Sequence, residues 1–372
     1  MPPDFTLPYH SDKDSLKQVK RVSPFCIKSD PVGSAKEAQV TVAALQADPF
    51  NFNFRNMTMP LPFPKSHKWG YVDESGIFCI PPQYDSAGTF NDGRAVVAHN
   101  GAKGVIDTAN KVVVPFEYSD ITDFVDGFAM GKRKNGSSWV VVDENGTLLA
   151  SCEWGWNLGS GMFAMLRSDG YVVTDAKGAA ASDSCYEDVL GFVGGDRQML
   201  HCRRNSFFCI EKLQWAVDGH SVVQKFDFDL MYGFCNGRSI VCKNNREGVV
   251  DLEGNVVVPI VFDEVQRIDD TIERFVLVKK SGADGFCFFE IDTGRVLDFV
   301  VEDAFCVSSC GESLYWILQN GMWSVLDSDF HVRVQHVGDF AEQMTETAVL
   351  VGRFGSWKYY ISSGLALRCV PS

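Results

Sequence analysis

The chain lacks the features of several common protein classes. None of its apolar runs reaches the ~18 residues of a helical membrane span. Its start, MPPDFTLPYHSDKDS, has no basic segment followed by an apolar one, so no secretory signal is expected and the expected location is cytoplasmic. Cationic side chains are scarce: 34 Lys and Arg face 48 Asp and Glu, a net charge of −14. That balance argues against nucleic-acid backbones, which need clustered Lys and Arg, and suits a basic or neutral partner. Twelve Cys are present without a single Cys-x-x-Cys, so they are expected to be reduced and mostly buried rather than a disulfide framework.

Catalytic signatures are missing as well. There is no Gly-x-Ser-x-Gly elbow, and the seven His share no recurring context. His331 and His336 are expected on opposite sides of a strand. Cys202, Cys209, Cys235 and Cys242 look rhythmic. Their seven-residue offsets are not zinc spacing, however, and Cys202 and Cys242 fall at the strand position of Val97 and Val278, so buried small side chains are expected. Asp227 with Asp229, or Asp123 with Asp126, could offer oxygens to calcium, but no twelve-residue loop accompanies them. Gly191–Gly195 precedes no helix. The expectation is no catalytic residue, no metal and no cofactor.

What the sequence does have is length, 45% hydrophobic and 12% aromatic residues, and a repeat. The clearest copies are KWGYVDESGIFCIPPQYDSAGTFNDGRAVVA from Lys68, KGVIDTANKVVVPFEYSDITDFVDGFAMGK from Lys103 and REGVVDLEGNVVVPIVFDEVQRIDD from Arg246. A turn-entering Asp sets the register at Asp73, Asp107, Asp143, Asp175, Asp251, Asp292 and Asp327. The wide gap between Asp175 and Asp251 spans two units, with a degenerate copy near Phe207–Ile210. Eight units thus run from Trp69, followed by a half-unit from Trp357. Apolar runs of four to six residues bounded by Gly, Asp and Asn are strand signals. In one unit, strand A is Arg94–Ala98, B is Lys103–Asp107, C is Lys111–Pro115 and D lies in Tyr118–Phe124.

Lys68-Trp69-Gly70-Tyr71-Val72-Asp73, Gly76, Ile80-Pro81-Pro82-Gln83-Tyr84-Asp85 and Phe90-Asn91-Asp92-Gly93 resemble the WG-repeat (KWG) family over about 300 residues. The family is mostly bacterial. The resemblance implies a binding repeat and brings no catalytic residues. One such sheet cannot bury both its faces, but a stack can. The expected fold is all-β, a propeller of seven or eight four-stranded antiparallel blades, with an open β-superhelix as the alternative. Residues 1–65, rich in Pro, are expected to form an irregular extension, and residues 66–372 the repeat domain.

Charge then gives a site. B–C and D–A turns share one edge of an antiparallel unit and carry Asp107, Asp126, Asp143, Asp251, Asp269, Asp292 and Asp327. The ends of strand A carry Lys132, Arg167, Arg203, Lys243 and Lys279. The expectation is one acidic rim and one basic rim, the acidic rim receiving a basic protein. That implies a non-enzymatic protein-binding module, in one version an immunity-type protein that neutralises a basic toxin or effector. The alternatives are a carbohydrate or cell-surface ligand binder using Trp154, Trp156, Trp215 and Trp316 as stacking platforms, and an enzyme with its site on one propeller face.

Overall fold

The computed structural model describes residues 59–73, 75–181, 185–193, 199–212, 221–269, 271–309, 311–363 and 365–371. Trp215 and residues 1–58, most of the expected extension, lie outside them. Among the described residues there is no α-helix, and so none long enough to cross a membrane. The strands form antiparallel meanders in the order D-A-B-C.

The described residues hold nine consecutive units. The first sheet has three strands, Leu61–Lys65, Lys68–Val72 and Phe78–Tyr84. The long strand Val112–Ile121 ends the second sheet and starts the third, which joins the two into one seven-stranded sheet. The fourth pairs Gly155–Gly159, Met162–Arg167 and Gly170–Asp175, with only isolated bridges at Ala180 and Tyr186 beyond them. The fifth (188–226), sixth (230–262), seventh (264–301), eighth (303–338) and ninth (340–371) each have four strands.

Seven or eight blades were expected. The difference arises because the sequence unit begins at B while the sheet begins at D. The half-unit from Trp357 therefore completes a ninth sheet with Phe340–Gln343 and Ala348–Arg353. At the other end, Leu61–Lys65 pairs with Lys68–Val72, so among the described residues the array begins with Leu61.

Two local devices make the strands. Outside the third and seventh sheets the A–B connections are two-residue hairpins, and Asn100-Gly101, Asn205-Ser206, Asn244-Asn245 and Asn320-Gly321 all have positive φ. Asn and Gly tolerate the left-handed conformation that such tight turns demand. The second device explains the Gly of the Trp-Gly motif. Trp69 and Tyr71 pair with Tyr84 and Ile80, leaving Pro81–Gln83 as a bulge opposite Gly70. The same shift recurs opposite Gly104 and Gly248. A Cβ on Gly70 would sit 2.4 Å from the Ile80 carbonyl oxygen, and one on Gly248 2.5 Å from that of Val258. The Pro of each outer strand thus sits in a bulge, where its missing N–H costs no ladder bond.

The sheets shelter one another. Strand A of the seventh sheet, Phe275–Lys279, is buried on both faces up to its last residue. At the start of the array Tyr71 Oη donates to the Gly88 carbonyl at 2.8 Å, tying the first sheet to the second. The ninth sheet packs on the first. Leu61, Phe63 and Tyr71 share one core cluster with Ala348, Leu350, Tyr359 and Ile361. Tyr359 Oη donates to the Pro62 carbonyl at 2.5 Å, and its ring lies 5.9 Å from that of Phe63. The array therefore returns on itself by side-chain packing, with each sheet left open at its edges. An open superhelix would leave the apolar faces of both terminal sheets in water, at about 1.5–3 kcal/mol per large side chain.

Candidate functional site

In a D-A-B-C meander the D–A and B–C turns share one rim, and the A–B hairpins and C–D corners share the other. The first rim carries the Asp residues expected there, and the structure gives most of them a backbone task. Oδ1 of Asp107 accepts the amides of Ala109 and Lys111 at 3.0 and 2.8 Å. Asp143, Asp251 and Asp327 take the amides two and four residues on at 2.7–3.1 Å, and Asp73 and Asp175 do likewise. Asp269 Oδ1 accepts from the Thr271 amide and hydroxyl and from the Ile272 amide, each at 2.9 Å. These are Asx turns, the physical reason for Asp at this corner.

Asp292 departs from the pattern. Glu290 pairs with Arg295 and stands opposite Phe275, where Asp143 stands opposite Phe128. Asp292 is therefore an exposed turn residue and does not set the register. Asp126 serves the next sheet, since its Oδ2 accepts the Ser160 amide at 2.5 Å. With Asp143, Glu144, Asn145, Leu149 and Lys177 it lines a depression of about 470 Å³ between the third and fourth sheets.

Three Arg on this rim are engaged with backbone. Arg94 Nε donates to the Glu144 carbonyl at 3.2 Å, Arg238 to those of Ile272 and Glu273 at 2.6 and 2.7 Å, and Arg274 to that of Ser328 at 3.2 Å. Each contact ties one sheet to the next. Lys111, Lys177 and Arg295 share the rim with the acids.

On the opposite rim, among the described residues, six cations are ion-paired. Lys68 meets Asp85 at 2.5 Å, Lys103 meets Asp120 at 2.7 Å, Arg133 meets Glu117 at 3.3 Å, Arg203 meets Glu187 at 3.5 Å and Lys243 meets Asp227 at 3.1 Å. Arg246 pairs with Asp263. The Lys68 bond holds Asp85 below the usual carboxylate range. Acids at the C–D corners thus answer several cations of strands A and B, including Arg203 and Lys243 of the strand-A ends, and an inventory of strand-A ends alone overlooks them. Asp229 also accepts the Asn244 amide at 2.6 Å, so the Asp227–Asp229 pair has local partners of its own.

Other candidates separate. Trp156 and Trp316 are buried, 7% and 0% exposed, and belong to the core, while Trp154 is exposed with its edge on Trp139. His331 lies beside Asp327 at 3.6 Å, whereas His336 sits in a bulge at φ 52° with its amide on Ser324. Cys202 does hold the Val97 position, opposite Cys209 as Val97 is opposite Gly104, but Cys242 stands one residue further on, opposite Glu247.

The fifth sheet holds a cluster that sequence spacing did not suggest. The Asn205-Ser206 hairpin sets Cys202 directly across from Cys209, and Glu211 lies on the same face two residues along. The turn residues were the signal, because a two-residue loop fixes that register. Behind this sheet His201 sits in an aromatic cage of Phe208, Phe226 and Phe234, and burial pushes it down to about 3.

Sequence comparison matches residues 69–101, 104–136 and 248–270 to the WG containing repeat. The chain carries WG repeats. The matched stretches begin in the sheets whose Gly faces a Pro bulge, so the WG signature and the bulge are one feature. No curated protein matches the chain. Among solved structures, a crystal structure of the eukaryotic initiation factor is 13% identical, covers 83% of this chain and 94% of its own, and has a TM-score of 0.54. Apo AztD from Citrobacter koseri is 11% identical over 74% of this chain and 93% of its own, at TM-score 0.41. Hsv2 of Kluyveromyces lactis is 11% identical over 63% and 90%, at 0.38. The WG-repeat chain has a β-propeller-like all-β fold.

Proposed function

We propose that this chain is a non-enzymatic binding scaffold whose Asp-bearing rim receives a basic protein. The observation that carries this reading is the contrast between the rims. On one, six cations are answered by corner acids. On the other, exposed Glu144, Glu253, Asp292 and Asp329 add to the Asx-turn carboxylates, and three of the Arg are spent on carbonyls. Such a surface raises the on-rate of a cationic partner and makes it salt-sensitive. A basic toxin or effector fits that partner class, which would make the protein immunity-type, and the cytoplasm suits such a role.

The turn-holding Asp are poor probes, because replacing them breaks the corner. Exposed acids with no such task are better. Glu144→Lys with Glu253→Lys should weaken binding of an oligolysine peptide and of any basic protein captured from the native organism. Asp284→Lys with Asp339→Lys, on the opposite rim, should leave both unchanged. Equal losses from the two pairs would reduce the effect to net charge and remove the rim from consideration.

A further inference from the structure

We propose that the fifth sheet binds a thiolate-seeking divalent metal ion, zinc by type, between Cys202, Cys209 and Glu211. The three side chains project from one face of adjacent strands, Met199–Arg204 and Phe207–Lys212. Their ligand atoms all lie within 4.8 Å of one another, and all three residues are buried. Cys202 Sγ is 3.6 Å from Cys209 Sγ, and Cys209 Sγ is 3.6 Å from Glu211 Oε1. Zinc bonds of about 2.3 Å to sulfur and 2.0–2.2 Å to oxygen give tetrahedral edges of about 3.6–3.8 Å, so both edges at Cys209 already match that spacing and the third lies within 4.8 Å.

The fourth corner borders open space. Cys209 and Glu211 help line a pocket of about 240 Å³ together with Arg204, Asn205, Phe207, Val222 and Lys225. Water or a small donor can reach the ion from there, as in sites that keep one position open. Charge favours the same reading. Two thiolates, a carboxylate and a divalent cation sum to one negative charge, and Arg204 lies 3.5 Å from Glu211 Oε2 with Lys225 lining the same pocket. Bound metal takes thiols as thiolates outright.

The repeat explains why the site arises here. Cys209 occupies the position of Gly70, Gly104 and Gly248, and in those sheets the bulged outer strand crosses over it. In the fifth sheet Cys209 pairs normally with Lys225 and the register shift moves to Ile210/Glu211. The displaced bulge leaves room for a side chain at the Gly position.

The test uses the full chain, reduced and stripped with a chelator, then titrated with Co²⁺. One equivalent should produce thiolate-to-cobalt charge-transfer absorption with the strong visible bands of tetrahedral cobalt, and Zn²⁺ should displace it. Cys202→Ser and Cys209→Ser should abolish the signal. Glu211→Gln, close in shape and so a check against misfolding, should weaken Co²⁺ binding by about tenfold or more. Melting curves of each variant verify the fold. No charge-transfer band in the reduced protein, or a band that survives Cys209→Ser, would overturn the proposal. So would a Cys202–Cys209 disulfide in the protein as isolated, which would make the pair a redox element instead.

Discussion

The first, second and sixth sheets differ from the fifth at one backbone position, and the difference shows what the repeat protects. In the three regular sheets a Gly lies under a Pro bulge, and Lys68, Lys103 or Arg246 reaches the acid that opens the next sheet. In the fifth sheet Cys209 replaces that Gly, the bulge has slipped, and Arg204 turns to the buried Glu211. Regular sheets spend the motif on architecture. The drifted sheet keeps the four strands but releases the motif's positions for chemistry. A repeat array allows this because each sheet needs its neighbours' faces more than its own signature.

Exchanging the two residues should break the comparison most forcefully. Gly104→Cys would press a side chain into the Val114 carbonyl, where even a Cβ comes within 2.8 Å, and is expected to cost about 1–3 kcal/mol or more by denaturant unfolding. The reverse change, Cys209→Gly, meets no bulge and should cost about 1 kcal/mol. Equal costs would mean that the bulge does not depend on the Gly.

Next in size is a pH effect on the eighth sheet. Burial pushes Asp303 up to about 8, reinforced by Glu264 and Glu302 and opposed by its bond from the Ala304 amide. A carboxyl with a raised folded-state pKa binds its proton more tightly when folded. Its contribution is favourable at low pH and is lost as pH rises from the ordinary carboxylate range to about 8. Asp303→Asn should therefore raise the melting temperature at pH 9 relative to pH 5, by an effect on the order of 1–3 kcal/mol. A pH-independent change would mean that Asp303 is ionised throughout.

Smaller effects separate the Asp residues of the rim. Asp107→Ala removes the acceptor for two turn amides and should cost about 1 kcal/mol, while Asp292→Ala should stay within about 0.5 kcal/mol. Comparably small is Lys103→Met, which breaks a partly exposed ion pair and should cost no more than about 1 kcal/mol, less in high salt. A larger loss would make the inter-sheet ion pair a principal support of the array.

Much of the fold could be read from local chemistry. Asn-Gly hairpins, Asp corners and short Val- and Phe-rich runs each fix a strand end by its own sterics, and apart from Asp292 the corner Asp stand where the repeat implies. Sheet number was harder, because the phase between sequence unit and sheet is set by pairing across the repeat boundary. Leu61–Lys65, with two Pro in five residues, carries little strand signal by itself and is specified by Lys68–Val72 beside it. The acidic rim was legible as composition. Its turn-holding bonds followed from Asp chemistry, but the ion pairs of the opposite rim needed the C–D corners to be located in space. The Cys202–Cys209–Glu211 cluster was hidden because metal-ligand spacing is usually sought along one chain segment. Here a hairpin register creates it.

The claim on which all this rests is that the array returns to its start, with the ninth sheet packed on the first. Hydrogen exchange followed by mass spectrometry, read sheet by sheet, tests it most directly. Closure through Tyr359, Phe63 and Pro62 predicts that amides of Lys68–Val72 and Ala348–Arg353 exchange as slowly as those of Phe275–Lys279 in the middle of the array. Fast exchange confined to the first and ninth sheets, as at the frayed ends of an open superhelix, would contradict it.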